Sequence, residues 1–161
     1  DYHRLMIEQF FSEQSGRFLL SLTFSVIAGL LIGAEKELRG KDAGMRTHSF
    51  VVIGSMMFTF ISGEFIDDPA RIAAQIVTGI GFLGAGIILK AQSGHVQNLT
   101  TAASIWMSAA IGMAFGFGMH FIGLVGTVVA IFLSWLPHLK PTQKRPSVYY
   151  NEDKAARIIN V

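Results

Sequence analysis

The chain has 161 residues, of which 51% are hydrophobic and 15% are charged, against about 25% charged residues in an ordinary soluble domain. It contains no cysteine, which excludes a disulfide framework and a thiolate metal site. The formal charge is +2, but no stripe of basic residues with interleaved aromatic residues is present, so no nucleic-acid partner is expected. The composition instead predicts a protein that lies in the lipid bilayer.

Long apolar stretches predict an all-α integral membrane bundle of five transmembrane helices, since about 20 apolar residues cross a bilayer core. The predicted spans are residues 18–34, 50–65, 70–89, 100–118 and 120–136. The fourth and fifth are so close that they could instead form a tight hairpin or a broken helix. Residues 1–17 have apolar side chains on one face and predict an amphipathic helix on the membrane surface. The transmembrane domain is therefore placed at 18–137 and a cytoplasmic tail at 138–161.

Small residues recur in three of the spans, where they let neighbouring helices approach closely. These predicted helix-packing residues are Gly29, Gly33, Gly79, Gly81, Gly84, Gly86, Gly112 and Gly116. They supply more close-packing surface than five spans need. We therefore expect a homo-oligomer or a complex with other membrane proteins.

The distribution of basic residues predicts the orientation of the chain. With five spans, most of the 13 lysines and arginines fall on one side, and only Arg4, Arg17 and Arg71 on the other. Basic residues gather on the cytoplasmic side of a membrane. The N-terminus is thus predicted to lie outside and the C-terminus in the cytoplasm.

The loop after the first span carries the densest charge. Glu35 and Arg39 are four residues apart, which predicts an ion pair on one helix face. Gly40 is expected to end that helix and Thr47 to cap the next one. The other functional candidates in this loop are Asp42 and Arg46. Two more basic residues, Lys36 and Lys41, look like ordinary surface cations.

A second polar group opens the third span. Asp68 is a predicted N-cap, followed by Pro69 in the first helical position. Arg71 should pair with Asp67, Asp68 or Glu64, and Gln75 lies one turn deeper on the same face, followed by Thr78. The three carboxylates could hold Mg²⁺ together with water, but such loop carboxylates are common. No resident metal is predicted, and the five histidines show no paired spacing.

The fourth span opens with Asn98 or Thr100 as its predicted cap. Thr101 and Ser104 are expected to hydrogen-bond to a neighbouring helix. Trp106 lies inside the span and is expected to be buried with a partner for its N–H. The sequence contains no nucleophile elbow, P-loop or zinc-protease motif, so we predict no catalytic residue and no enzyme.

Three segments in this order resemble the MgtC/SapB family of bacterial inner-membrane proteins: AEKELRGKDAGMRTH, DPARIAAQIVTGIGFLGAGIIL and NLTTAASIWMSAAIGMAFG. The resemblance implies a regulatory membrane protein linked to magnesium homeostasis, acid tolerance and virulence. It also implies that the polar candidates named above are important: Glu35, Arg39, Arg46, Thr47, Asp68, Arg71, Gln75, Thr100, Thr101 and Trp106. Many members continue into a cytoplasmic ACT-like domain, so this sequence is either a short form or a trimmed one.

Two functions follow as hypotheses. The first is a regulatory protein that oligomerises and docks on other membrane proteins. The alternative is an oligomeric channel or transporter for Mg²⁺ or protons, lined by charged residues such as Glu35 and Arg71.

Overall fold

The structure is a computed structural model that describes residues 2–65, 68–89 and 98–136. Five helices make up nearly all of this part: α1 (Tyr2–Leu38), α2 (Met45–Phe65), α3 (Pro69–Leu89), α4 (Leu99–Gly116) and α5 (His120–Trp135). The described residues contain no strand, which confirms the predicted all-α bundle. The predicted tail from residue 138 lies outside the described residues.

Helix α1 is longer than the sequence predicts. Its 37 residues are continuous and span about 55 Å, whereas the hydrocarbon core of a bilayer is about 30 Å thick. The apolar part is Ser12–Leu38. The predicted surface segment is therefore not a separate helix but continues into the first span, and its place on the membrane surface stays a prediction. Gly16 alone is too weak a breaker to end a helix there, since one glycine costs only about 1 kcal/mol.

The end of α1 and the start of α2 are fixed by local hydrogen bonds. Gly40 has φ +63°, the Lys41 N–H donates to the Lys36 carbonyl at 3.0 Å, and the helix ends as predicted in a Schellman motif. Helix α2 begins at Met45, so the predicted cap at Thr47 is wrong. The cap comes instead from Glu37, whose carboxylate accepts a hydrogen bond from the Met45 N–H at 3.1 Å.

Helices α4 and α5 form the tight hairpin that the sequence left open. Gly118 has φ +74°, and the Met119 N–H donates to the Ala114 carbonyl at 2.8 Å. Gly123 of α5 lies against the ring of Phe115 in α4, so the two helices pack closely and run antiparallel.

Helix α2 packs against α1, α3 and α4, and α4 contacts all four other helices. A Cβ added at Gly29 of α1 would lie 2.6 Å from Ser49 Cα, and one added at Gly116 of α4 would lie 2.6 Å from the Met56 carbonyl oxygen. Gly33 and Gly112 are equally tight against α2. These four predicted packing residues lie in close contact with α2 within the chain.

The face of α2 that meets this packing is polar. His48, Ser55, Thr59 and Ser62 are buried, and their spacing of seven, four and three residues places them on one side of the helix. Three described segments are long and apolar enough to cross a membrane: Ser12–Leu38, Ala70–Ile88 and Leu99–Gly116. Helix α5 is apolar but has only 16 residues. The count of five spans thus stays a prediction for α2 and α5.

Substitution of Gly112 by Leu should destabilise the bundle, because the new side chain would collide with the α2 backbone. Overpacking of this kind costs about 1–3 kcal/mol or more. We expect the midpoint of thermal unfolding in detergent to fall by about 3–10 °C. Gly81→Leu is the matched control, since an added Cβ at Gly81 meets nothing within 4 Å. Equal midpoints for both variants would contradict the close packing of α4 on α2.

Candidate functional site

Polar side chains gather where α1 and α5 end and α2 and α4 begin. Lys36 of α1 donates a hydrogen bond to Ser134 of α5, and the Asn98 amide before α4 donates to Asp42 at 2.7 Å. We call this region the charged end of the bundle, defined by Glu35, Lys36, Arg39, Asp42, His48, Asn98 and Ser134. It is the end that the positive-inside rule predicts to be cytoplasmic.

An ion network on the last turn of α1 forms the centre of the charged end. Glu35 lies 2.5 Å from Arg39 and 3.2 Å from Lys36, and the side chains of Glu35 and Lys36 are 10% and 6% exposed. The Arg39 guanidinium also stacks over Trp135 at 5.8 Å. The predicted Glu35–Arg39 pair is confirmed, and the network connects α1 to the end of α5.

Lys36 was interpreted as a surface cation, and that prediction is wrong because only 4% of the residue is exposed. A signal was present in the sequence. Lys36 follows Ile32 by four residues and Gly29 by seven, so all three lie on one helix face. That face is the one packed inside the bundle.

Two serines form hydrogen bonds with charged-end side chains. Ser134 donates its hydroxyl proton to the Ala130 carbonyl at 2.9 Å and therefore accepts from Lys36. Ser108 lies within hydrogen-bond distance of the Ser104 carbonyl, at 3.0 Å, and of His48 Nδ1, at 2.8 Å. The Nε2 atom of His48 is buried without a hydrogen-bond partner among the described residues. The burial of His48 could not be predicted, because the five histidines show no regular spacing in the sequence.

The remaining candidates of the first loop lie on its surface. Asp42 is exposed and bound to Asn98, while Arg46 and Thr47 are exposed in the first turn of α2. Asn98 occupies the predicted N-cap position of α4, but its side chain makes no capping hydrogen bond. With φ 62°, Asn98 instead turns its amide toward the α1–α2 loop.

Acidic groups at the opposite end are paired with arginines. Glu64 lies 2.8 Å from Arg17, and Asp68 lies 3.9 Å from Arg71, so one of the three partners predicted for Arg71 is confirmed. Asp67 lies outside the described residues. Among the residues that the structure describes, no group of three His, Asp or Glu side chains could hold a metal ion.

This opposite end also encloses a polar cavity of about 400 Å³. Ser21 donates to the Phe115 carbonyl at 2.9 Å, and its hydroxyl oxygen lies 3.1 Å from His120 Nε2. Arg17 and Glu64 line the same space. The arrangement ties the start of α5 to the middle of α1.

The polar candidates on α4 are divided between the interior and the surface. Thr101 is buried, whereas Thr100 is exposed. Ser104 donates to the Thr101 carbonyl at 2.8 Å in its own helix, not to a neighbouring one. Trp106 is 52% exposed, so its predicted burial is wrong. An aromatic residue in an apolar helix faces lipid as favourably as protein, which the sequence alone does not distinguish.

Helix α3 differs from the others because most of its surface is open. Only 11% of its apolar stretch is buried, against 44% in α4. A Cβ added at Gly84 would touch Ala102 at 3.7 Å, but Gly79, Gly81 and Gly86 have nothing within 4 Å. The packing role predicted for this span is therefore realised within the chain only at Gly84.

An apolar groove of about 660 Å³ runs between α3 and α2. Phe50, Gly54 and Phe58 of α2 line one wall, and Gln75 and Gly79 of α3 line the other. Arg71 and Gln75 are exposed, and Thr78 donates to the Ala74 carbonyl at 3.1 Å. The polar line predicted on α3 therefore faces outward from the bundle.

A sequence profile of the MgtC family matches residues 22–142. The chain belongs to the MgtC family. No solved structure matches it.

Curated relatives in this family extend beyond the matched region. "Putative magnesium transporter YhiD" of Escherichia coli K12 is 43% identical over 74% of this chain and 60% of its own length. "Protein MgtC" of Salmonella typhimurium LT2 is 43% identical over 71% of this chain and 49% of its own. An uncharacterized protein of Haemophilus influenzae is 36% identical over 68% of this chain and 51% of its own length. The chain thus spans about half to three fifths of these relatives.

Replacement of Glu35 by Gln should destabilise the protein strongly, because Lys36 and Arg39 would lose the carboxylate between them. Removal of one partner from a buried pair costs about 3–5 kcal/mol. We expect a fall of about 10 °C or more in the thermal midpoint in detergent. The double variant Glu35→Gln/Lys36→Met should recover part of the loss. Glu37→Gln, which weakens only an exposed cap, is the control, and an equal effect of the two single changes would refute the network.

Proposed function

We propose that this protein is a bacterial inner-membrane regulatory protein that acts by oligomerising and docking on other membrane proteins, and that α3 is the helix through which it contacts a partner chain. The observation that carries the proposal is the open face of that helix. Gly29 and Gly33 of α1 and Gly112 and Gly116 of α4 lie against α2, whereas a Cβ added at Gly79 or Gly86 of α3 would meet none of the described residues within 4 Å. Small residues on a membrane helix provide a close-approach surface for another helix.

The amide of Gln75 supports the same conclusion. It is exposed on α3 beside the apolar groove, and about six residues, or 9 Å along the helix, separate it from Pro69. An amide in hydrocarbon without a partner is unfavourable, and a hydrogen bond between helices contributes about 1 kcal/mol. A partner helix that covers α3 would supply that hydrogen bond.

Magnesium homeostasis, acid stress and virulence are the setting we propose for this docking. This part of the proposal rests on membership of the MgtC family, not on the geometry. The orientation with the charged end in the cytoplasm belongs to the same proposal, as does the absence of catalytic activity.

A growth experiment tests docking directly. In a bacterium that lacks its own MgtC-family proteins, the wild-type chain should support growth in low magnesium, and Gly79→Leu should abolish that support while the protein stays folded in the membrane. Gly81→Leu should behave like wild type, because the two glycines lie about 200° apart on the helix. Full support by Gly79→Leu would refute a docking role for this face.

Conduction of Mg²⁺ or protons is a second candidate. The buried polar face of α2 favours it, as does the name of the Escherichia coli relative. Ser25 and Thr59 each have a buried oxygen without a hydrogen-bond partner in the described chain. The tight contacts of Gly112 and Gly116 with α2 count against an open path.

Flux measurements separate the two candidates. Purified protein in liposomes should give no more Mg²⁺ or proton flux than empty liposomes if the chain acts by docking. Flux that Thr59→Val abolishes without loss of folding would instead establish conduction along α2. Thr78→Val, which changes a hydroxyl on the open helix, is the control.

A further inference from the structure

We propose that the partner on the open face of α3 is a second copy of this chain, related to the first by a two-fold axis along the membrane normal. This inference rests on the proposed function, since it names the occupant of the same surface. Three features of α3 are each complementary to themselves under that symmetry: the Gln75 amide, the Phe82 ring beside an open groove, and the Asp68–Arg71 pair.

The membrane restricts how two copies can meet. Both copies have the same orientation in the bilayer, so a two-fold axis along the normal makes their α3 helices parallel and brings equal depths together. In such an interface a residue and its counterpart contact the same patch of the other subunit. A surface suits this arrangement only if complementary features lie at one depth on the same chain.

A stripe along α3 has the required geometry. Gln75, Gly79, Phe82 and Gly86 recur with spacings of four, three and four residues, the repeat of a helix seam in a coiled coil. Gly79 and Gly86 lack neighbours within 4 Å, so a second backbone can approach there. The buried face of α3, with Ile80 and Gly84, is on the other side.

Gln75 is the polar group of this seam. A carboxamide has both an acceptor oxygen and two N–H donors, so two copies at equal depth satisfy each other. A partner of unrelated sequence would need its own polar group at that depth. A second copy supplies it automatically.

Phe82 and the groove are complementary in shape. The ring is 81% exposed, and the groove beside it is open at Gly54 and Gly79, where an added Cβ meets nothing within 4 Å. Phe82 follows Gly79 by one turn, about 4.5 Å along the helix, so the ring of one copy can reach the groove of the other at Gly79. The interface therefore buries an aromatic side chain from each copy.

The start of α3 provides charge complementarity. Asp68 and Arg71 lie 3.9 Å apart and are 59% and 80% exposed, a loose pair within one chain. Each copy thus presents one carboxylate and one guanidinium at the membrane surface. Two parallel copies can exchange partners, so that each Arg71 pairs with the Asp68 of the other chain.

Cysteine cross-linking tests the proposal, since the natural sequence contains no cysteine. Gly79→Cys and Gly81→Cys are a matched pair, both open within the chain and on opposite faces of α3. In membranes that contain the full chain, oxidation with copper phenanthroline should link Gly79→Cys into a covalent dimer. Gly81→Cys should give roughly tenfold less covalent dimer. A disulfide requires Cβ atoms about 4 Å apart, and position 81 lies on the face of α3 that points away from the second copy.

Further changes in the Gly79→Cys background test the individual contacts. Gln75→Leu and Arg71→Asp should each reduce the cross-link, and the exchanged pair Asp68→Arg/Arg71→Asp should restore it. Unchanged thermal midpoints in detergent show that each variant is folded. Equal cross-linking at positions 79 and 81, or none at 79, overturns the proposal. If position 79 does not cross-link but Gly79→Leu abolishes growth in low magnesium, docking stands and the occupant is a different membrane protein.

Discussion

The approach of α1 and α4 to the backbone of α2 is the contact on which the rest of the bundle depends. Gly29 and Gly116 lie where any side chain would collide with α2. Helices in lipid gain little from the hydrophobic effect, so close van der Waals packing has to hold them together. With its two neighbours this near, α2 can bury His48 and Thr59 on the side that faces protein rather than lipid.

The packing of α1 and α4 on α2 decides which surfaces are available for function. At the charged end, the Glu35–Lys36–Arg39 network and the Lys36–Ser134 contact join α1 to α5. The glycine contacts therefore pack α1 and α4 tightly against α2 inside the bundle, and the ion pairs hold the helices together at the charged end. Helix α3, attached mainly along one face, is left with an open seam. Docking through α3 uses the surface that the fold does not need for itself, which is why we favour it over conduction.

Much of this fold could be predicted because the relevant signals are local. The apolar stretches predicted the helices, and Gly40 predicted the end of α1. The spacing of four residues predicted the Glu35–Arg39 ion pair. The missed features depend on which helix lies beside which. Lys36 and His48 are buried by neighbours that spacing within one helix does not identify, and the cap of α2 comes from Glu37, eight residues earlier. For the same reason, glycines of α3 that looked equivalent to those of α1 are open.

Hydrogen–deuterium exchange of the protein in nanodiscs tests the close packing of α1 and α4 on α2 most directly. Exchange requires local opening, and opening is rarest where a helix is packed on several sides. The account predicts that the amides of residues 48–62 exchange more slowly than those of residues 75–86, although α2 is the more polar helix. Faster exchange in α2 than in α3 would contradict the arrangement of the bundle.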